Sequence, residues 1–354
     1  MTMYYLLVFI PLLFYINFYF KKSNAKYTFG VFFAMLFFIL SLRHAYVGCD
    51  LDVYTTIYDD CATMPISKMF SYNNIEFGYL MYNALISKIS GGNFQFLLTV
   101  TAVITVLPVA IVYTKESKDP YLTIALFLCL GPFILMFSGL RQSMAMSLCM
   151  IAFLYVKKRK FFKFLIPLVL AVLMHYSAAV FLLVYPLYSI NVSKKFFLYS
   201  IPVLIVMFIF NKPIIEFIVQ FLPEKYRKYE LTETGAFGML IAFILISFYS
   251  FICVDESRLS DEARGLRNLM IPMLLLQIFV PVHGVVMRVN YYLIMLLPLS
   301  IPAIQEGLNP RLAVYKRYIS FIIMLIAITY ILLTIPGSIL RIYPYYFFWE
   351  TPIV

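Results

Sequence analysis

Charged residues are scarce in this sequence. Only 13% of its 354 residues are charged, whereas 63% are hydrophobic; soluble domains carry roughly 25% charged residues. A water-soluble core could not bury that much apolar surface. Repeated apolar runs of about 18 residues or more fit instead the ~30 Å hydrocarbon thickness of a bilayer. The composition therefore excludes a soluble globular protein and predicts a multi-pass integral membrane protein.

Cysteines and catalytic signature motifs are sparse as well. The five cysteines include no CxxC pair, which argues against a disulfide scaffold or a cysteine zinc site. Cys49 and Cys61 share one polar loop and could pair if that loop faces an oxidising compartment; unpaired thiols are the favoured interpretation. No GxSxG, Walker A, GxGxxG or HExxH motif occurs. This argues against an ATP-driven pump, a common membrane serine hydrolase and a zinc protease.

The net charge of +11 comes from basic residues scattered over short loops. They form no basic domain with interleaved aromatic residues, so we predict no nucleic-acid partner. Lysine and arginine beside membrane spans mark the cytoplasmic side and bind anionic lipid headgroups. Membrane lipid is therefore the partner that the charge indicates.

Apolar runs predict about twelve transmembrane segments in a single integral membrane domain that covers 1–354. We interpret the first run as a retained anchor, because no basic residue precedes it and no small-x-small cleavage site follows it. The intervals 45–93 and 211–235 are predicted to be external. The candidate spans are 3–20, 27–44, 94–114, 120–138, 143–156, 161–175, 178–190, 195–210, 236–253, 267–283, 289–305 and 318–335.

The distribution of basic residues predicts the orientation. An N-terminus on the outside places most of the 28 lysines and arginines, including the KKRK cluster at 157–160, in cytoplasmic loops. The stretches 77–91 and 214–222, in the external intervals, have the apolar periodicity of surface helices rather than of spans. If 77–91 crossed the membrane instead, the side of every later segment would reverse.

Short spans predict a recess. At 1.5 Å per residue, 161–175 rises only about 22 Å, less than the hydrocarbon core. The turn at His175 and the turn from Ser138 to Gln142 should therefore lie below the outer surface. Irregular backbone at that depth is tolerated where it packs on protein or lines a wet cavity. We predict an all-α polytopic fold with short or re-entrant helices around an outward-facing cavity.

Polar side chains that are costly in a membrane gather near the predicted outer face. Arg141 is the only charged residue between Pro120 and Val156. A guanidinium stays charged and offers a fork of donors that matches phosphate oxygens. Arginines at span ends therefore favour a lipid-linked pyrophosphate as the ligand. The candidate residues are Arg43, Asp50, Tyr54, Glu76, Tyr79, Arg141, Gln142, His175 and Arg288.

Several of these residues also have a structural interpretation. Arg43 and Arg288 are equally expected as interfacial anchors whose side chains reach the headgroups. Arg141 is also expected at a helix end, and His175 in a hydrogen bond between helices. Burial and contacts, which the sequence does not give, separate the two interpretations.

The remaining polar motifs do not indicate a catalytic or metal site by themselves. Asp50 and Asp52 form the DxD triplet that some glycosyltransferases use on metal-bound sugar nucleotides, but no other metal-ligand spacing supports it. We therefore predict no metal site. His44 and His283 are interpreted as structural.

The motifs together resemble the EpsG family of membrane proteins, which is grouped with Wzy-type polysaccharide polymerases. The resemblance covers about 35–295, and Met174 stands where the family sometimes has a second histidine. It rests on an arginine followed by Gly-x-Asp and a tyrosine, on Glu-x-Gly-Tyr, on the SGLRQ turn, on HYS, and on an arginine ahead of a Tyr-Tyr pair. These residues are Arg43, Gly48, Asp50, Tyr54, Glu76, Gly78, Tyr79, Arg141, Gln142, His175, Tyr176, Ser177, Arg288, Tyr291 and Tyr292.

The resemblance implies a glycosyltransferase C-like protein of the bacterial cell (inner) membrane that makes exopolysaccharide, capsule or O-antigen. It implies transfer of a growing glycan from undecaprenyl pyrophosphate to the next lipid-linked repeat unit on the outer side, without a metal or another cofactor. Other polysaccharide-synthesis proteins are expected partners.

Such a reaction would be an inverting glycosyl transfer. His175 is the favoured base over Asp50 or Glu76, because histidine takes up a proton near neutral pH, whereas a carboxylate would need its pKa raised by desolvation. Catalysis would mainly need stabilisation of the charge on the pyrophosphate and positioning of the reactants. The residues predicted to bind substrate or pyrophosphate are Arg43, Tyr54, Tyr79, Arg141, Gln142, Arg288 and Tyr291.

Three other functions remain open. A flippase or transporter of the same lipid-linked units would use the arginines without needing a base. We find no internal repeat of the kind common in transporters, and the polar groups gather at one face, which favours the polymerase. An outer-face glycan ligase would share the chemistry and differ only in its acceptor. A structural partner of a synthesis complex is the third alternative.

Overall fold

The computed structural model describes residues 4, 5, 7, 9, 25–72, 75–221 and 237–352. Apart from two isolated β-bridges, all regular secondary structure in these residues is helical. The all-helical prediction is therefore confirmed. The predicted span 3–20 lies outside the described residues except at four positions, and 222–235 of the second predicted external interval lies outside them entirely.

The first part of the described chain forms nine α-helices. They are α1 (Ala25–Ser41), α2 (Leu51–Thr63), α3 (Ile66–Met69), α4 (Phe77–Ser90), α5 (Phe94–Glu116), α6 (Pro120–Cys129), α7 (Pro132–Leu135), α8 (Leu140–Lys157) and α9 (Phe161–Met174). A 3₁₀ helix, Tyr176–Leu183, follows α9.

The later part of the described chain forms ten further α-helices. They are α10 (Val184–Leu187), α11 (Lys194–Ile209), α12 (Asn211–Val219), α13 (Phe237–Ile252), α14 (Asp261–Asn268), α15 (Met270–Phe279), α16 (Val285–Ile294), α17 (Leu297–Ile304), α18 (Pro310–Ala313) and α19 (Lys316–Thr334). Two 3₁₀ helices, Glu256–Arg258 and Gln305–Gly307, connect some of them.

Local sequence explains where the early helices begin. Asn93 caps α5 by accepting a hydrogen bond from the backbone N–H of Phe96 at 3.1 Å. Asp119 caps α6 in the same way, and Pro120 occupies its first helical position, where a missing N–H costs nothing. α8 begins at the SGLRQ turn and ends at the KKRK cluster.

Two of the described helices, α5 and α19, are each long and apolar enough to cross a membrane. α11 with α12 and α16 with the helices from Leu297 to Gly307 form two further apolar pairs, bent by 72° and 47° respectively. Counting each bent pair as one span gives up to four spans. Every predicted span in the described residues coincides with one or more helices, but the number twelve stays a prediction.

The described chain divides into two compact units, one made of 1–179 with 318–354 and the other of 180–317. The single domain over 1–354 therefore stays a prediction. In the first unit α9 packs along α8, α5 contacts both α1 and α8, and α2 packs on α4. In the second unit α15 contacts α13 and α16, and α14 packs on α17.

Small buried side chains let α8 sit at the centre of the first unit. Ala145, Ser147 and Ala152 are fully buried along it, and the Ser147 hydroxyl donates to the Thr105 carbonyl at 2.6 Å. Helices in a membrane associate through close packing and such hydrogen bonds. The N-terminal end of this buried helix carries Arg141.

Candidate functional site

Three segments from separate parts of the first unit bring polar side chains together. Glu76 directly precedes α4, Arg141 is the second residue of α8, and His175 is the residue at which α9 ends. The Glu76 side chain makes no capping bond to its own helix. Its carboxylate is therefore available to groups from the other two helices.

The Glu76 carboxylate joins the other two side chains. Its Oε2 lies 2.5 Å from Arg141 Nη1, and its Oε1 lies 2.8 Å from His175 Nδ1. The backbone N–H of Tyr176 also donates to Oε1 at 3.2 Å. Both carboxylate oxygens are thus occupied by donors, and the two candidate side chains are fixed relative to each other through one residue.

This carboxylate is buried but stays ionised. The Glu76 side chain is 4% exposed. Burial alone would raise the pKa of Glu76, but the hydrogen bond from His175 and the positive charge of Arg141 outweigh it and lower the pKa to about 2. The sequence-based alternative that Glu76 acts as the base required a raised pKa, and the geometry gives the opposite direction. We therefore assign Glu76 to positioning.

The tautomer of His175 follows from this pairing. A carboxylate accepts hydrogen bonds and does not donate, so Nδ1 of His175 carries the proton that faces Glu76. Nε2 of the neutral ring is then the acceptor. The His175 side chain is 23% exposed, so part of it is not covered by the protein.

Two buried tyrosines form the wall beside Arg141. The guanidinium carbon lies 6.0 Å from the ring centroids of both Tyr54 and Tyr79. The two rings contact each other edge to face at 5.8 Å. Tyr79 is fully buried, whereas the Arg141 side chain keeps 25% of its surface exposed. Arg141 is therefore packed against protein on one side and uncovered on the other.

A glycine explains how α4 approaches His175. A Cβ added at Gly78 would lie 2.7 Å from both Cβ and the carbonyl oxygen of Leu173. α9 therefore touches the backbone of α4 two residues before His175. The Glu-x-Gly-Tyr motif combines a carboxylate, a close helix approach and a buried ring within four residues.

A second close approach connects the outer loop, which we define as residues 42–50, to the start of α8. Gly48 has φ +126°, which favours glycine, and a Cβ there would lie 2.1 Å from the Phe137 carbonyl oxygen. Ser138 Oγ lies 3.0 Å from Cys49 Sγ and accepts from the Asp50 N–H at 3.2 Å. The Gly-x-Asp and SGLRQ motifs are therefore neighbours.

Comparison with known families agrees with these motifs. The EpsG family matches residues 26–347, nearly the whole chain. This chain belongs to the EpsG family. The family is Wzy-type polymerase-like, so the chain is a membrane protein with a polysaccharide polymerase-like role. No curated protein and no solved structure matches it.

One arginine of the predicted EpsG-family site is placed elsewhere. Arg43 is 2% exposed, its Nη1 lies 3.5 Å from the Met136 carbonyl oxygen, and its guanidinium carbon lies 5.5 Å from the Phe137 ring centroid. A buried guanidinium engaged in this way is not accessible to a pyrophosphate. We therefore treat Arg43 as a residue that packs the outer loop onto the start of α8.

The remaining predicted residues of the EpsG motifs lie in different surroundings. Gln142, which follows Arg141 in the sequence, is buried. Arg288 and Tyr291 belong to the second unit, on α16, where Arg288 is exposed and Tyr291 half-buried. Binding of one ligand by Arg141 and Arg288 together stays a prediction.

The histidines interpreted as structural have local roles. His44 Nδ1 accepts from the Tyr46 N–H at 3.0 Å, and His283 Nδ1 accepts from the Val285 N–H at 3.3 Å. Both stabilise turns. Their positions agree with the structural interpretation.

Neither the DxD triplet nor the cysteines form a special site in the described part of the EpsG-family chain. Asp52 Oδ2 lies 3.6 Å from Arg341 Nη1, and Asp50 lies at the start of α2. No group of three or more metal-ligating side chains occurs among the described residues. Cys49 and Cys61 are both free.

The sequence did not indicate the C-terminal segment, which we define as residues 338–350. It runs along the outer loop through backbone hydrogen bonds of 2.8 to 3.0 Å. These join Gly48 to Arg341, Cys49 to Leu340, His44 to Tyr346 and Phe348 to Leu42. The predicted spans place both segments on the same side of the membrane, and this contact needs them to be there. Backbone pairing of this kind leaves no side-chain pattern to recognise.

Proposed function

We propose that this protein is a bacterial polysaccharide polymerase that moves a growing glycan from undecaprenyl pyrophosphate onto the next lipid-linked repeat unit. The transfer takes place on the extracytoplasmic side of the inner membrane. The observation that carries the proposal is the Glu76 carboxylate, which orients one guanidinium and one imidazole at one exposed site. Membership of the EpsG family, with its polysaccharide polymerase-like role, supports the choice of lipid-linked glycans as substrates.

His175 takes the proton in the proposed reaction. An acceptor sugar hydroxyl attacks the anomeric carbon of the donor glycan, and its proton passes to Nε2 of His175. The new glycosidic bond forms as the bond from the anomeric carbon to the phosphate oxygen breaks, so the configuration inverts. Glu76 holds the imidazole with Nδ1 protonated and stabilises the imidazolium that results, as a carboxylate does beside a catalytic histidine.

Arg141 stabilises the leaving group. Undecaprenyl pyrophosphate departs with negative charge on its terminal phosphate, and a positioned guanidinium lowers the barrier where that charge develops. One Arg141 nitrogen is engaged by Glu76, which fixes the plane of the fork. The exposed part of the side chain then faces the phosphate.

Other proposed roles follow from position. Tyr54 and Tyr79 support Arg141 rather than contacting substrate, since both are buried. Gln142, Arg288 and Tyr291 are proposed to contact the lipid-linked donor or acceptor. Membrane lipid and other polysaccharide-synthesis proteins are the proposed partners, and the proposed mechanism needs no metal or other cofactor.

The orientation of His175 by Glu76 favours a glycosyl-transfer enzyme over a transporter. A flippase for the same lipid-linked units would benefit from Arg141 but has no use for a histidine with a fixed tautomer. A glycan ligase would need the same groups, so the acceptor distinguishes it from a polymerase. An assay that offers only lipid-linked repeat units as both donor and acceptor separates the three functions.

The test replaces Arg141 by Lys and by Ala and measures glycan chain length on purified lipid-linked repeat units. We expect Ala to abolish elongation and Lys to restore it only in part, because an ammonium cannot form the planar fork. Arg264→Ala is the matched control, since Arg264 makes an exposed ion pair with Asp261 in the second unit. Full-length polymer from Arg141→Ala would contradict the proposed role.

A further inference from the structure

We propose that Arg341 is a positioning residue for the outer loop and, through α2, for Arg141. The proposal rests on the proposed function where it concerns the reaction, and on geometry alone where it concerns the loop. Arg341 lies about 200 residues along the chain from Arg141 and belongs to the C-terminal segment.

The side chain of Arg341 reaches both sides of Gly48. Its guanidinium carbon lies 4.9 Å from the Tyr46 ring centroid, and its Nη1 lies 3.6 Å from Asp52 Oδ2. Its backbone carbonyl accepts from the Gly48 N–H at 3.0 Å. Arg341 therefore contacts the chain before Gly48, at Gly48 and, in α2, after Gly48.

The backbone of Arg341 is itself unusual. Its φ of 53° lies in the left-handed region, which an L-residue other than glycine, asparagine or aspartate rarely adopts. A non-glycine residue persists there only where surrounding contacts hold it. The contacts with Tyr46, Gly48 and Asp52 are such a set.

These contacts of Arg341, which we call the clamp, connect to the site through α2. Asp52 lies in the first turn of α2, two residues before Tyr54. The Tyr54 ring packs beside the Arg141 guanidinium. On the other side of the loop, Asp50 and Cys49 contact Ser138, three residues before Arg141. Movement of the outer loop would therefore displace Arg141 by two routes, through Tyr54 on α2 and through Ser138.

The first test is Arg341→Gly. Glycine adopts φ 53° without strain and keeps the carbonyl that binds Gly48, so only the side chain is lost. Arg159→Gly is a matched control, because Arg159 is an exposed arginine with the same φ of 53° on the predicted cytoplasmic side. The readouts are alkylation of Cys49 by a membrane-impermeant maleimide in intact cells, and kcat and KM for elongation of purified lipid-linked units.

We expect Arg341→Gly to raise the Cys49 alkylation rate about fivefold and to lower kcat by a similar factor with little change in KM. Fivefold corresponds to ~1 kcal/mol, the upper part of the range for exposed ion pairs. Arg159→Gly should change neither readout. Unchanged Cys49 alkylation in Arg341→Gly would overturn the proposal.

The second test is a charge exchange. Asp52→Arg and Arg341→Asp are each expected to loosen the loop, and the double variant to restore both readouts, since aspartate tolerates the left-handed region. A double variant as impaired as the single variants would show that Arg341 acts on another group and would overturn the proposal. If alkylation responds and recovers while even the wild-type protein elongates no lipid-linked unit, the clamp stands and the proposed function fails.

Discussion

His175 Nδ1 lies 2.8 Å from Glu76 Oε1. The other oxygen of the same carboxylate binds Arg141 at 2.5 Å. The groups proposed to move the proton and to stabilise the leaving group are therefore held by one buried side chain. A perturbation of Glu76 should affect both steps, which separates this site from one in which a base and a cation act independently.

Glu76→Gln should lower kcat for elongation by about 10²-fold or more, because the amide removes the charge that orients the imidazole and the guanidinium. The measurement is single-turnover elongation of purified lipid-linked units. Glu116→Gln is the matched control, since Glu116 pairs with Lys157 at the opposite end of α8. Near-native elongation by Glu76→Gln would contradict the positioning role.

His175→Gln should lower kcat by about 10²- to 10⁴-fold, the usual contribution of a general base. If His175 is the base, the wild-type rate should depend on pH and the variant should lose that dependence. A pH–rate profile of both proteins is the measurement, with His44→Gln as the control. If the variant kept the native profile, the base would be a carboxylate other than Glu76.

The stability contributed by Glu76 should depend on pH in one direction. Its pKa of about 2 lies below the ordinary value of 4.5, so the contribution is present above pH 4.5 and is lost as the pH falls through 2. We expect the Tm of the wild type in detergent to exceed that of Glu76→Gln by a constant amount above about pH 5 and the gap to narrow below it. A gap that widened on acidification would show that Glu76 is protonated in the folded protein.

Gly78→Ala should destabilise the first unit, because the new Cβ would lie 2.7 Å from the backbone of Leu173. Overpacking of this kind costs about 1–3 kcal/mol, and the separation of α4 from α9 should also reduce elongation. The measurement is Tm together with chain length. Gly30→Ala is the control, since a Cβ there meets no atom within 4 Å, and it should leave Tm unchanged or raised.

The sequence could predict which residues share a face, but not which of them touch. Glu76, Arg141 and His175 were expected together because each follows an even number of predicted spans. That Glu76 binds both of the others depends on the approach of α4 to α9 at Gly78, a tertiary contact that periodicity does not encode. The helices themselves were predictable because apolar runs of that length have few other structures available in a membrane.

The burial of Arg43 and the pairing of the C-terminal segment were hard to foresee for a common physical reason. An arginine at a span end has the same sequence context whether it reaches solvent or is buried, so Arg43 could not be separated from Arg141 by pattern. The C-terminal segment was missed because it pairs through backbone groups with residues about 300 positions earlier in the chain. Both depend on long-range packing, which a single sequence does not display.

The pairing of the C-terminal segment with the outer loop also determines the order of biogenesis. During translation, the backbone N–H groups of Gly48 and Cys49 have no native partners until residues 340 and 341 have been synthesised and delivered to the same side of the membrane. A nascent chain stalled in its last helix would hold most of its helices yet leave this loop unclosed. Closure of the outer loop is therefore a late event, and one that a ribosome-release experiment could time.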